Sequence, residues 1–384
     1  MTLVHETAAE ADIPLAETAI ALPPHDRVDD GGDASDRRGG ASTSVWRAAG
    51  KRLLRDRVGV VSMGVVAIYL LLVLASFTGL VASDWQVERG VSYASPTFLG
   101  DAENLEAGVA ALDPSAKSNA PPVDISDVDP LAPNYKEWAE RAARIQIGST
   151  QRTDTLPFGA DKWGRDVLKK AIKGAQVSIF VGLVAALVAT TIGTLLGATA
   201  GYFRGWIDDA LEWFYSIFTS IPYILLILAF AAVFRANTLL SHAGVATIIA
   251  VLGLTGWTGI YRLLRAEYIK HRAREYVRAA DAIGASNASR MFVHILPNAS
   301  HVILVQLSLH VVAFIKAEVI LSFLGLGVPV DMVSWGTMLA EAQSELVIGK
   351  WWQLVAAGAG MAVLVTAFSL FTDSLRDALD PKLG

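Results

Sequence analysis

Residues 275 to 298 read Glu275-Tyr-Val-Arg-Ala-Ala-Asp-Ala-Ile-Gly-Ala-Ser-Asn-Ala-Ser-Arg-Met-Phe-Val-His-Ile-Leu-Pro-Asn298, a polar, small-residue segment between two long apolar stretches. The pattern predicts a short helix ending in a turn at Gly284 to Asn287. Ala279, Ala280, Gly284 and Ala285 surround Asp281 with little side-chain bulk, so another protein can approach this backbone closely. The segment is a knob rather than a catalytic site. Pro297 suits the first turn of the following helix, where its missing N–H costs little.

The flanks decide the solvent. The chain has 384 residues, of which 53% are hydrophobic and 18% charged, and its mean hydropathy is +0.43, outside the ordinary soluble class. Six stretches, near 58–83, 177–200, 212–234, 241–261, 299–324 and 353–372, are almost free of charged residues. Each is long enough to cross about 30 Å of hydrocarbon. The expected fold is therefore an all-α polytopic membrane protein with six transmembrane helices. Cysteine is absent, which excludes disulfides and thiolate metal sites. No metal cluster and no nucleic-acid partner are implied.

Arg47, Lys51, Arg52, Arg55 and Arg57 precede the first span, and the positive-inside rule places them in the cytoplasm. Six spans then return the C-terminus to the same side. The segment after the fourth span carries Arg262, Arg265, Lys270, Arg272, Arg274, Arg278 and Arg290, in agreement. Lys162, Arg165, Lys169, Lys170 and Lys173 conflict with this orientation, although a long preceding loop weakens the rule there.

Residues 1–44 are polar and rich in Asp and Gly, which predicts a disordered cytoplasmic tail; residues 45–83 form a basic flank and the first span. An external insertion follows at 84–156, with twice as many acids as bases and an amphipathic helix around Tyr135, Trp138, Ala142 and Ile145. It reads either as a docking surface or lid for an outside partner or as a solvated insertion. Residues 157–384 form the core, with the cytoplasmic loop at 263–297.

Individual residues carry two readings each. Glu318, in the outer part of the fifth span, lines a translocation pathway or makes an interhelical hydrogen bond; Lys316 nearby does not share its helix face and also reads as a membrane-edge charge. His310 reads as packed rather than as a proton relay. Gly193, Gly197 and Gly201 form a close-approach face toward a helix of this chain or of another. Pro222 kinks the third span for shape more than for gating, and Trp206, Trp351 and Trp352 read as interfacial anchors.

The quoted segment resembles the loop of bacterial ABC-importer permeases, Glu-Ala-Ala, three residues, Gly, nine residues, Ile-x-Leu-Pro. Ala279, Ala280, Gly284, Leu296 and Pro297 fall on it in register, whereas Arg278 replaces the Glu and His294 the Ile. Phe158-Gly-Ala-Asp-Lys-Trp-Gly-Arg-Asp166, Ala200-Gly-Tyr-Phe203, Ser322-Phe-Leu-Gly-Leu-Gly-Val328, Ser334-Trp-Gly336 and Leu375-Arg-Asp-Ala-Leu-Asp-Pro381 are similar to the C-type permease of oligopeptide, dipeptide and nickel importers. That resemblance implies a type I importer fold in a bacterial inner membrane. It also implies a second homologous permease, two cytoplasmic ABC ATPases that grip the loops, an extracellular or periplasmic solute-binding protein and a peptide substrate. Ala279, Ala280, Asp281, Gly284, Ala285, Leu296 and Pro297 would form the coupling loop.

No Gly-x-x-x-x-Gly-Lys-Ser/Thr cradle occurs, so ATP is expected on partner subunits and no cofactor on this chain. An ion-coupled secondary transporter is the competing function, although its candidates Lys316, Glu318 and His310 all crowd one span. An intramembrane enzyme would need a nucleophile with a base, or a metal cluster at helical spacing, and the spans offer neither.

Overall fold

Hydrophobic length and helix breakers together set the element order. The computed structural model describes residues 50–99, 132–144, 152–236, 244–329 and 331–379; the expected tail at 1–44 lies outside them. The helices are α1 (Arg57–Phe77), α2 (Tyr135–Arg144), α3 (Val167–Phe203), α4 (Trp206–Thr219), α5 (Tyr223–Ala236), α6 (Val245–Thr255), α7 (Thr258–Arg272) and α8 (Glu275–Ala282). They continue with α9 (Asn287–Phe323), α10 (Trp335–Val347) and α11 (Trp352–Leu379). Four of them, α1, α3, α9 and α11, are long and apolar enough to cross a membrane unbroken. The pairs α4/α5 and α6/α7 bend by 89° and 41°, and make six spans if each pair is one.

The bends follow from the sequence. Pro222 cannot donate to the preceding turn, so the third expected span breaks between α4 and α5. Gly256 marks the break between α6 and α7, where the Phe314 ring occupies the place of a side chain. Two further boundaries move. The first span ends at Phe77 rather than near 83, and α3 begins at Val167, ten residues before the expected second span. At 1.5 Å per residue α3 is about 55 Å long, so its ends project beyond a bilayer core.

α3 is the central post, packed by α7, α9, α6, α1 and α11. Its glycine face is turned on a helix of the same chain: a Cβ at Gly193 would lie 2.5 Å from the Trp257 carbonyl oxygen, and one at Gly197 2.6 Å from that of Tyr261. Only a residue without a side chain permits such an approach, and in lipid this close packing replaces hydrophobic drive.

The insertion is not purely helical, which amends the all-α expectation. β1 (Gly90–Pro96) and β2 (Thr153–Leu156) pair in parallel, with Ser95 opposite Thr155. α2 matches the expected amphipathic helix, and Tyr135 and Trp138 are exposed on it with ring centroids 6.0 Å apart. Ile145 lies outside the described residues.

Two lysines of the cluster that opposed the orientation rule are paired with acids. Lys169 reaches Asp84 at 2.8 Å and Lys170 reaches Asp161 at 2.7 Å, while Arg165 stacks over Trp85 and Trp163. Trp352 is buried and donates its indole N–H to the Ala160 carbonyl at 2.7 Å; it braces a turn and is not the interfacial anchor expected. Trp206 is 79% exposed, as an anchor would be.

Candidate functional site

The loop between α7 and α9 is built as a clamped knob. α7 ends at Arg272, α8 starts after an extended Arg274, and Ile283 closes it. Gly284 takes φ +85°, its N–H bonding the Asp281 carbonyl at 2.9 Å while the Ala285 N–H bonds that of Ala280 at 3.0 Å. This is the paired capping pattern that glycine favours just past a helix end. Ser286 then caps the next turn through a bond from the Ser289 N–H at 3.2 Å.

The site residues divide by exposure. Ala279, Asp281, Gly284 and Pro297 face solvent, Ala285 and Leu296 are half-buried, and Ala280 is buried. Ala280 packs inward, so the small-residue knob presents Ala279 and the Asp281–Gly284 turn. Ile283, at its tip, is 84% exposed and was not among the residues the sequence pattern singled out.

The base of the knob is rigid. Val277, Tyr268, Met291, Ile295, Ala198 and Tyr202 form one buried cluster. The Tyr268 hydroxyl donates to the Met291 carbonyl at 3.1 Å, and the Tyr202 hydroxyl donates to Asn287 Oδ1 at 3.0 Å. Arg290 pairs with Asp281 and, with Arg272, flanks the Tyr202 ring. A groove of about 310 Å³ between these groups is lined by Arg272, Arg278, Arg290 and Asp281.

Pro297 sits in the first turn of the regular α-helical run Leu296–Phe323, as expected, but the rod begins earlier: α9 starts at Asn287 and runs through a π-helical stretch, Arg290–Ile295, after which the Leu296 N–H reaches the Met291 carbonyl. The wider turn fits a position where proline removes a donor, and such bulges often mark functional segments. The second half of the knob, from Asn287, is thus one 37-residue helix with the span, and the Gly284 turn joins its start.

The charged groups of α9 do not converge. Glu318 has no exposed surface and accepts from Ser322 Oγ at 2.6 Å, a bond within α9 and not the interhelical one expected. His310 bonds Thr190 Oγ1 at 3.1 Å and stacks on Phe314, so it is packed as expected. Lys316 lies on the exposed face. Among the described residues no group of three or more His, Asp or Glu side chains is placed to hold a metal.

Residues 193–384 match the family described as binding-protein-dependent transport system inner membrane component, a match that covers half of the chain and includes the whole knob. A dipeptide transport system permease protein of Bacillus subtilis is 37% identical over 226 residues, 59% of this chain and 68% of that protein. The chain belongs to this family of inner-membrane transport components. The permease is also 28% identical to a dipeptide transport system permease protein of Lactococcus lactis over 353 residues, 92% of this chain and 95% of that one. Among solved structures, a chain of the MetNI methionine ABC transporter covers 55% of the permease at 14% identity, with a TM-score of 0.45.

Membership makes the protein a membrane-spanning permease subunit of an ABC importer, and not itself the enzyme of that machine. α10 lies between the fifth and sixth expected spans, where the sequence pattern predicted no helix. Ser334 followed by Trp335 was its signal: Ser334 forms a capping box with Thr337, and Trp335 is buried and donates to the Ala171 carbonyl at 3.1 Å.

Proposed function

We propose that the permease forms half of the translocation pore of a peptide importer, paired with a second homologous permease and driven by two cytoplasmic ABC ATPases that grip the 275–297 knob. ATP is bound by those partners, and this chain carries no cofactor. A solute-binding protein on the outer side delivers the peptide, and the 84–156 insertion faces that side. The basic residues at the knob end favour a cytoplasmic knob with both termini beside it. The names of the relatives, dipeptide and oligopeptide permeases, support a peptide substrate.

The observation that carries this reading is the continuity of knob and span. A displacement of the Gly284 turn by a partner is passed to the start of α9 two residues on, whose first turns the Tyr268 and Tyr202 hydroxyls tie to α7 and α3. Coupling is then a bias on a two-state pore, exerted through differential contacts at the knob.

The test is co-purification from detergent-solubilised membranes of the wild type and of Gly284→Arg, scoring bound ATPase and ATP hydrolysis. Loss of the ATPase from the variant, with pairing to the second permease retained, supports the reading. A folded wild type that binds no ATPase overturns it.

A further inference from the structure

At the end of α3 remote from the knob lies a buried cluster with more carboxylates than cations. Lys170 is 2% exposed and Asp161 0%. The ammonium donates to Asp161 at 2.7 Å, to Glu341 at 2.5 Å and to Gln353 Oε1 at 3.1 Å. A lysine has three N–H donors, and all three are taken.

Glu345 is one helical turn beyond Glu341 on α10, and only 1% of it is exposed. Neither of its carboxyl oxygens makes a hydrogen bond of ordinary geometry among the described residues, the Lys162 main-chain N–H acting on it only from outside that geometry. Ionised, it would be a third negative charge around one saturated cation; protonated, it is neutral, and its burial costs far less. Burial pushes its carboxyl up to about 7, opposed by Lys170 and the Lys162 main-chain N–H and reinforced by Glu341 and Asp161. The facing groups are thus Lys170 from α3, Glu341 from α10, and Asp161 and Lys162 from the turn before α3; Gln353 from α11 is neutral.

We propose that Glu345 is a proton-binding site whose neutral form seats α10 against α3 and α11 and whose ionised form loosens it. α10 is positioned to pass that change on. Its Gly336 lies so close to α9 that a Cβ there would be 2.5 Å from the Val319 carbonyl oxygen, and α9 carries the knob. Glu345 thereby links proton activity at the far end of the molecule to the rod that ends in the coupling loop.

The sign follows from linkage. The folded state holds this proton more tightly than an unfolded chain, whose glutamate titrates near 4.5. Stability therefore falls as pH rises from about 4.5 to about 7, and is level above that.

The absence of cysteine allows a direct test on the purified full chain. Ala342 is fully buried on α10 and Ser344 is exposed on it. The maleimide labelling rate of Ala342→Cys, divided by that of Ser344→Cys at each pH, reports unseating free of the thiol's own titration. The ratio should rise roughly tenfold from about pH 5.5 to about pH 8, and adding Glu345→Gln should abolish the rise. A rise that survives Glu345→Gln, or no rise in its absence, overturns the proposal. Should the buried cysteine prevent folding, tryptophan-monitored melting of the otherwise unaltered chain decides. The melting temperature should fall across that window, flatten in Glu345→Gln, and level off at lower pH in Glu341→Gln, which removes a charge that raises the folded value; an unflattened Glu345→Gln curve refutes it.

Discussion

The Tyr268 hydroxyl, on α7, donates to the Met291 main-chain carbonyl at 3.1 Å, joining residues 23 apart in the chain where both are buried. Met291 lies in the π-helical stretch of α9, and its carbonyl also accepts from the Leu296 N–H. One phenol thus fixes the angle at which the knob leaves the membrane rod. Tyr268→Phe should cost about 0.5–1.5 kcal/mol, the net worth of one hydrogen bond, because the Met291 carbonyl keeps the Leu296 N–H. Melting in detergent should report that loss, and peptide-stimulated ATP hydrolysis by the reconstituted complex should fall further than folding alone explains.

The α3–α7 contact makes a sharper prediction. Gly197→Leu must displace the Tyr261 backbone, so overpacking of about 1–3 kcal/mol or more is expected, and folded protein should be scarce in the membrane fraction. Gly358→Ala, on α11 with no atom within 4 Å of the new methyl, should leave the yield unchanged.

Asp161 accepts from the Trp163 and Arg165 N–H groups at 2.9 and 3.0 Å as well as from Lys170, so it shapes a turn and neutralises a buried cation at once. Removing one partner of a buried pair costs about 3–5 kcal/mol, and Glu341 offsets part of that here. Asp161→Asn should lower the melting temperature clearly. Asp161→Asn with Lys170→Met should recover part of the loss, and a double variant less stable than the single would contradict the charge argument.

Acid should act on Asp84 in the opposite sense from Glu345. The hydrogen bond from Lys169 holds its carboxyl below the ordinary value of 3.8, with the charges of Lys169 and Arg89 helping against some desolvation. The folded value is depressed, so the stabilisation is complete above about pH 4 and is lost as pH falls through the folded value. Asp84→Asn should lower the melting temperature equally at pH 5 and pH 8, by less than about 1 kcal/mol for so exposed a pair. Near pH 3 the difference from wild type should shrink.

Much of this architecture is legible along the chain because lipid imposes a one-dimensional rule: a span is a run of apolar residues long enough to satisfy its own backbone. The positions of all six runs and the knob between the fourth and fifth follow from it. Element ends are less legible, since α3 gains its first turns only where Asp166 caps it and acids from the insertion and the turn before it meet its lysines. α10 escapes the rule because its charged face is buried against other charged groups, and Glu341 and Glu345 read locally as a solvated surface.

The sequence by itself determined the membrane solvent, the number of apolar runs and the small-residue knob, because each depends on local composition and spacing. Only tertiary structure decided that the glycines of α3 meet α7 of the same chain, that Ala280 points inward, that Glu318 is enclosed and that Glu345 makes no hydrogen bond of ordinary geometry. These are outcomes of which surfaces meet between residues distant in the chain, or across one tight turn. Burial, unlike hydropathy, belongs to the contact and not to the residue.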